Sequence, residues 1–305
     1  MRIITNAQVA ELISVEESIS AMRTAFQSAN AGSQQSRVRT TAGGVTLSCM
    51  GAVMPDVGIT GAKVYTTING RFHFVIVLFS TKDGRPLATI ESDTMTGLRT
   101  AAATAVATDY LARKEATTLS VIGTGVQARS HVPTLMQVRA FEEILVAGID
   151  GQDQFAEELR RSTGVSVKVV SIEDAVRNAD VLVTVTRATT PLLSGDLLRK
   201  GVFVAAVGAS KATVRELDDS AVARASALVV EWKAQAQQEA GDLVMCKAGT
   251  FAWDNVMELG QIVDGSAAYV REPDDIVIYK AIGVGLEDIA LAGLAYRKAC
   301  IAYGW

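Results

Sequence analysis

Histidine is scarce in this chain: His73 and His131 are the only two among 305 residues. Triads and metal clusters built on imidazole therefore have little material. Cysteine is scarce too. Cys49, Cys246 and Cys300 are odd in number and far apart, and no CxxC occurs. That pattern indicates neither a disulfide framework nor a zinc site, so no metal is expected. A reducing cytoplasm suits such a chain. Positive charge is not in excess, since the net charge is −4, and no basic surface calls for nucleic acid. No stretch of about 18 apolar residues runs without charges or glycines, so no membrane span is expected. The opening residues, Met1-Arg2-Ile3-Ile4-Thr5-Asn6, lack the apolar region of a signal peptide.

What the chain does have is a glycine turn between two periodic segments. Thr118-Leu119-Ser120-Val121-Ile122 is a short, apolar, β-branched run. It ends at Gly123-Thr124-Gly125-Val126-Gln127-Ala128, and a helix-compatible segment follows. This spells the strand, tight turn and helix start of a dinucleotide-binding unit. Gly123 lets the chain turn sharply. Gly125 lets a pyrophosphate approach the backbone. Ala128 stands where a third small residue allows close helix–strand packing. The N–H groups and dipole of the helix start then favour phosphate. An ordinary glycine turn is the alternative, and the strand-like runs downstream argue against it.

The length suggests two domains, or one with a large insertion. Residues 1–32 read as two helices, the second opened by a capping box at Ser14-Val15-Glu16-Glu17. Gly32 to Ser36 reads as a loop. From Val38 to Ile90 the period is two, with strands at Val45–Met50, Gly61–Ile68, Phe72–Phe79 and Leu87–Glu91. Asn69-Gly70 and Lys82-Asp83-Gly84 supply hairpin turns, which makes the sheet antiparallel. A helix over about Thr96 to Arg113 follows. From Thr117 strands and helices alternate: Thr118–Ile122, Glu143–Ala147, Val167–Val170, Val181–Thr186, Val202–Val207 and Ala227–Val230, with Ile276–Tyr279 as a further strand. A helix opened by Ser171 lies among them. The fold class is therefore α/β: a doubly wound parallel sheet of the Rossmann type, plus an α+β domain with an antiparallel sheet. A last helix, Gly285 to Tyr303, is expected to return to the first domain. The expected division is 1–112 with 286–305 for substrate binding and dimerisation, and 113–285 for the dinucleotide.

The acid that binds the adenosine ribose belongs at the end of the second strand of such a unit. Asp150 is the acid in place. A turn or helix-capping role is its alternative. Arg129, just after the glycine turn, offers itself to a 2′-phosphate, and the reading leans weakly to NAD over NADP. In the first domain three cations stand out: Arg39, Lys63 and Arg99. A charge within a β run is costly unless solvated or paired. Arginine's planar fork suits a carboxylate, and a partly desolvated lysine can move a proton. Each alone is most simply a solvated or salt-bridged side chain. Together, ahead of a dinucleotide domain, they point to a small α-carboxylate substrate.

These stretches resemble the ornithine cyclodeaminase/mu-crystallin family. The resemblance is carried by Gly61-Ala62-Lys63-Val64, Thr96-Gly97-Leu98-Arg99-Thr100-Ala101-Ala102, the Gly123–His131 turn, Val207-Gly208-Ala209-Ser210, Arg215-Glu216-Leu217-Asp218, Glu239-Ala240-Gly241-Asp242-Leu243 and Tyr279-Lys280-Ala281-Ile282-Gly283-Val284-Gly285-Leu286-Glu287-Asp288. It implies a dimer paired through the first domain's sheets. It also implies roles. Arg39 and Arg99 would hold the substrate carboxylate, with Lys63 beside them; Arg37 lies close enough to compete with Arg39. Gly123, Gly125, Val126 and Gln127 would cradle the pyrophosphate. Thr186 and Val207 would lie near the ribose and nicotinamide, and Thr100 and Gly283 are also expected at the cofactor.

Two departures from the family pattern matter. Cyclodeaminases and alanine dehydrogenases of the family carry an aspartate where this chain has Ser210, and serine there looks like the mu-crystallin and imine-reductase branch. The family's Lys-Ser-Val-Gly reads Lys280-Ala281-Ile282-Gly283. The expected activity is NAD(P)-dependent reduction of an α-imino acid of the Δ1-pyrroline-2-carboxylate or ketimine type, or the related amino-acid dehydrogenation. An ornithine-cyclodeaminase-type lyase, a hydroxyproline dehydratase and a non-catalytic binding protein are the alternatives.

Overall fold

A computed structural model describes residues 1–29 and 33–305. The chain divides into two compact units, Met1–Ala103 with Gly283–Trp305, and Thr104–Ile282. No helix among the described residues is long and apolar enough to cross a membrane.

The first unit is built on six strands: β1 (Arg2–Ile4), β2 (Ser33–Ala42), β3 (Val45–Met54), β4 (Ile59–Ile68), β5 (Arg71–Ser80) and β6 (Pro86–Glu91). Their order is β1-β6-β5-β4-β3-β2. All neighbours are antiparallel except β1, which pairs in parallel with β6. The β4–β5 hairpin turns at Asn69 (φ 50°) and Gly70 (φ 73°), the left-handed pair that matches strand twist. Helices α1 (Asn6–Leu12), α2 (Val15–Gln27), the start of α3 (Asp93–Leu111) and the terminal α11 (Gly285–Tyr303) complete the unit. Ser14 and Glu17 cap α2 reciprocally, at 3.1 and 2.9 Å. α11 packs on β3 and β4 and against α2.

Two expectations fail here. Residues 1–32 are not helices alone, because Arg2–Ile4 forms an edge strand. Three residues are too few to carry a period. Ser33–Ser36 belongs to β2 and not to a loop; Gly32 lies outside the described residues. The segment is polar, and its strand character comes from pairing: Ser33 lies opposite Val53 and Gln35 opposite Gly51.

The second unit is an eight-stranded parallel sheet. Its strands are β7 (Thr118–Ile122), β8 (Glu143–Ala147), β9 (Ser166–Val169), β10 (Val181–Thr184), β11 (Phe203–Ala206), β12 (Ala227–Val230), β13 (Met257–Glu258) and β14 (Val277–Lys280). The order is β13-β12-β14-β11-β10-β7-β8-β9. Helices α4 (Val126–Leu135), α5 (Gln152–Thr163), α6 (Ile172–Asn178), α7 (Asp219–Ala223), α8 (Lys233–Glu239), α9 (Gly241–Val244) and α10 (Leu259–Val263) lie between the strands in sequence. The central strands β10, β11 and β14 are buried at every residue, which is why they read as unbroken apolar runs. The order reverses between β7 and β10. That is the switch point at whose carboxyl side open α/β sheets bind ligands. β14, last in sequence, enters between β11 and β12, so the sheet's far edge is built before its interior is filled.

Candidate functional site

The glycine turn follows β7 at this switch point. Gly123 has φ 118°, and a Cβ there would lie 2.7 Å from the Val185 carbonyl oxygen. Only glycine suits the position on both counts. Gly125 caps α4 without any side-chain bond to the helix start, and a Cβ there would meet nothing within 4 Å. The first turn of α4 thus presents backbone N–H groups beside open space. Val126 is exposed, and Gln127 keeps a buried Oε1 without a hydrogen-bond partner among the described residues. These features fit a dinucleotide pyrophosphate.

The neighbouring strand ends are tied together by one carboxylate that the sequence reading did not single out. Glu216 is fully buried. It accepts from Thr184 Oγ1 at 2.8 Å, from Thr186 N and Oγ1 at 2.8 and 2.7 Å, and from Gly208 N at 2.8 Å. Thr186 and Val207 leave the ladder here, so β10 and β11 end earlier than their apolar runs suggest. Val207 N donates to the Thr184 carbonyl at 2.9 Å. A Cβ at Gly208 would lie 2.5 Å from Glu216 Oε1, so the loop is closed to larger residues. Glu216 is itself held from behind. Its N–H and that of Leu217 donate to Asp242 Oδ1 at 2.6 and 2.7 Å. Asp242 Oδ2 lies 2.9 Å from Lys280 Nζ, which also donates to the Ala206 carbonyl. Ser210 is half-buried in the loop after β11.

Asp150 is exposed in the loop after β8. It does not cap α5, whose N-cap is Gly151. Its carbonyl accepts from Thr124 Oγ1 at 2.9 Å, which joins it to the glycine turn. Arg129 is already engaged. Its Nε and Nη2 meet both oxygens of Glu158 at 2.8 and 3.0 Å, and Nη1 donates to the Thr124 carbonyl. His131 is a core residue, with Nδ1 2.7 Å from the Gln127 carbonyl oxygen and Nε2 3.1 Å from Thr104 Oγ1.

In the first unit Lys63 and Arg99 come together around two acids of α11. Lys63 Nζ donates to Asp288 Oδ1 at 2.8 Å and to Thr96 Oγ1 at 3.3 Å. Arg99 Nε donates to the same Asp288 oxygen at 3.1 Å, and its Nη1 to Glu287 Oε2 at 2.6 Å. Phe74 and Tyr65 flank the Lys63 ammonium, with ring centroids at 4.8 and 5.8 Å. Burial pushes the Lys63 pKa down to about 8, against the Asp288 charge that raises it. Asp288 is buried as well, yet the charges of Arg99 and Lys63 hold its carboxyl below the usual range.

Arg37, which the sequence reading set in competition with Arg39, reaches this cluster. Arg37 Nη2 donates to the Gly283 carbonyl at 2.7 Å, and its charge acts on both Lys63 and Asp288. Arg39 is half-buried opposite Ser48, which pairs with Tyr65. That register sets Arg39 on the sheet face that carries Lys63. Thr100 donates to the Thr96 carbonyl of its own helix at 2.7 Å. Glu287 and Asp288 are partners that the sequence reading does not single out. The available signal was two adjacent acids inside an otherwise alanine- and leucine-rich helix, since buried charges need partners. Lys63, Arg99 and Arg37 thus gather around Glu287 and Asp288 in one cluster of charges of both signs.

The sequence profile of the ornithine cyclodeaminase/mu-crystallin family matches residues 1–301. The chain belongs to that family. It is 39% identical over 238 residues to the Δ1-pyrroline-2-carboxylate reductase of Bacillus cereus, a match covering 76% of this chain and 72% of that one. Its fold superposes with a TM-score of 0.98 on a Bordetella pertussis Tohama I protein named as a probable ornithine cyclodeaminase, at 45% identity over 100% and 99% of the two chains. It superposes at 0.94 on the Thermococcus litoralis Δ1-pyrroline-2-carboxylate reductase in complex with NADH and L-proline, at 30% identity over 100% and 98%. Ala281, where the family pattern has serine, is buried and donates its N–H to the Ala206 carbonyl.

Glu216→Gln tests the hub in this family member. An amide nitrogen must then face groups that donate, and each buried donor left unmatched costs about 1–3 kcal/mol. The unfolding midpoint should fall, by roughly 2–4 °C per kcal/mol for a unit of this size. Dinucleotide affinity should fall with it. Thermal melts and fluorescence titration with NADH check both.

Proposed function

We propose that this chain reduces an α-imino acid of the Δ1-pyrroline-2-carboxylate or ketimine type to the corresponding L-amino acid, with a nicotinamide dinucleotide as reductant. The observation that carries the reading is Lys63: a buried ammonium with a pKa of about 8, set beside two guanidinium groups. Family membership and the likeness to the Bacillus and Thermococcus reductases support it.

The reduced nicotinamide, when bound, supplies a hydride for the imine carbon. The residues of the chain do the rest. Arg39 and Arg99, with Arg37, attract and orient the substrate carboxylate by their charge. Lys63 hydrogen-bonds the imine nitrogen and gives up its proton to it, which makes the adjoining carbon electrophilic. Asp288 keeps Lys63 charged against the cost of burial. The glycine turn from Gly123 to Gln127 holds the pyrophosphate. Thr186 and Val207, fixed by Glu216 and the β10 end, lie toward the ribose and nicotinamide, and Asp150 accepts from the ribose hydroxyl. That last contact favours NAD.

A second reading, ammonia loss from ornithine with the dinucleotide recycled, is favoured by the name of the Bordetella protein. It needs a proton acceptor where this chain has Ser210, and a hydroxyl is a poor base near neutral pH without one beside it. The two readings separate in one assay. A panel of cyclic imino acids with NADH and NADPH should consume reduced cofactor; ornithine with NAD should release no ammonia. Ammonia and proline without imine reduction would reverse the assignment.

Lys63 also sets the pH dependence. The donor form is lost as pH rises through its pKa, so kcat/KM for imine reduction should fall above about pH 8, by roughly tenfold per unit at the limit. In Asp288→Asn the charge that raises the Lys63 pKa is gone while burial remains, so the limb should move to lower pH. Lys63→Met should abolish turnover while leaving NADH binding within about twofold. Steady-state profiles and NADH titrations test all three.

The assembly we propose is a homodimer through the outer face of the six-stranded sheet. Val38, Leu47, Val53, Val75 and Phe79 are exposed there, on the face opposite Lys63 by strand alternation. Such an apolar patch marks an interface. Leu47→Asp should shift the sedimentation coefficient from dimer to monomer.

A further inference from the structure

Arg129 is the side chain that the sequence offers to a 2′-phosphate, and Glu158 of α5 holds it. The pair is a two-point fork, at 2.8 and 3.0 Å, and the guanidinium lies 5.0 Å over the Phe155 ring. The third contact, Nη1 to the Thr124 carbonyl, roots it on the glycine turn. Thr124 in turn bonds the Asp150 backbone. One continuous chain of contacts therefore joins Glu158, Arg129, the glycine turn and the acid after β8, all within the second unit.

We propose that the Arg129–Glu158 ion pair selects the form of the dinucleotide, with Glu158 as the specificity-determining residue that keeps this guanidinium from a 2′-phosphate. The inference rests on the dinucleotide reading above and goes beyond it by naming the selector. The physical case is one of competition. A guanidinium fork binds a carboxylate or a phosphate through the same edge. While Glu158 occupies that edge, a 2′-phosphate meets a neutralised arginine and the Glu158 carboxylate, so like charge opposes it. A ribose carrying a free 2′-hydroxyl meets no such penalty. Removing the Glu158 charge, with its shape kept, releases the fork. The arginine can then turn to the phosphate while the pyrophosphate cradle stays as it was.

The test is equilibrium binding without substrate, by fluorescence titration of the intact protein with NADH and NADPH. The wild type should hold NADH more tightly than NADPH. Glu158→Gln should tighten NADPH binding by about tenfold, equivalent to about 1.4 kcal/mol, with NADH changed by less than about twofold. The new NADPH affinity should weaken with added salt, as a surface-exposed charge contact does. Adding Arg129→Ala to Glu158→Gln should take the gain away again. An unchanged NADPH-to-NADH ratio in Glu158→Gln overturns the inference, as does a wild type that prefers NADPH; the dinucleotide reading survives either result. A wild type that binds neither nucleotide overturns both.

Discussion

The first unit is organised around charges that cannot be buried alone. Lys63 sits in the middle of a central strand at 2% exposure, and Arg99 in a helix at 6%. Either cation would be strongly destabilising without a partner. The partners come from the far end of the chain, where Glu287 and Asp288 stand in the first turn of α11. That placement also sets both acids at the positive end of the helix dipole. The requirement explains why the last helix packs with the N-terminal sheet rather than ending the parallel one: β4, α3 and α11 are each incomplete, electrostatically, without the other two. It also explains the lysine's acidity. Burial alone would drive the proton off, and one carboxylate oxygen shared with Arg99 partly restores it.

The second unit solves the same problem at its strand ends. Lys280, Asp242 and Glu216 are all buried, and they alternate in sign or accept backbone donors in turn. Glu216 takes four hydrogen bonds from the β10 and β11 ends, a number that leaves little freedom in the loop from Thr184 to Thr186 or at Gly208. A parallel sheet otherwise leaves such loop N–H groups to water. Here the Thr186 and Gly208 N–H groups are turned inward onto one carboxylate. For the reductase reading this hub matters, because hydride transfer depends on holding two atoms in a narrow range of distance and angle.

How much of this could be read from the sequence depended on range. The glycine turn was legible because its cause is local: Gly123 must adopt φ 118°, and the apolar run before it and the helix after it are contiguous. The hairpin at Asn69-Gly70, the Ser14 cap and the bounds of α11 were legible for the same reason. β1 and β13 were not, since two or three residues carry no period and only pairing makes them strands. Arg37 and Arg39 were hard to separate because β2 shifts register between Gln35 and Val38, and a bulge breaks the alternation from which facing is inferred. Glu216 looked like one acid among many. Thr184 and Thr186 lie 32 and 30 positions away in sequence and Gly208 only 8, and no spacing rule links a strand end to a loop acid.

The tuning of Lys63 also bears on the direction of reaction. Imine reduction consumes a proton at nitrogen as well as a hydride at carbon, whereas amine oxidation must shed that proton. A lysine with a pKa of about 8 is mostly protonated near neutral pH, which suits the donor role proposed for it. An ordinary lysine, near 10.4, is a weaker acid and gives up its proton less readily. A lysine driven lower, as by losing Asp288, would be neutral over a wider range of pH, which suits the oxidation. Burial sets the pKa down, Asp288 lifts it part of the way back, and Arg99 and Arg37 limit the lift. In the proposed mechanism the balance of these charges, more than any single residue, sets how readily Lys63 yields its proton.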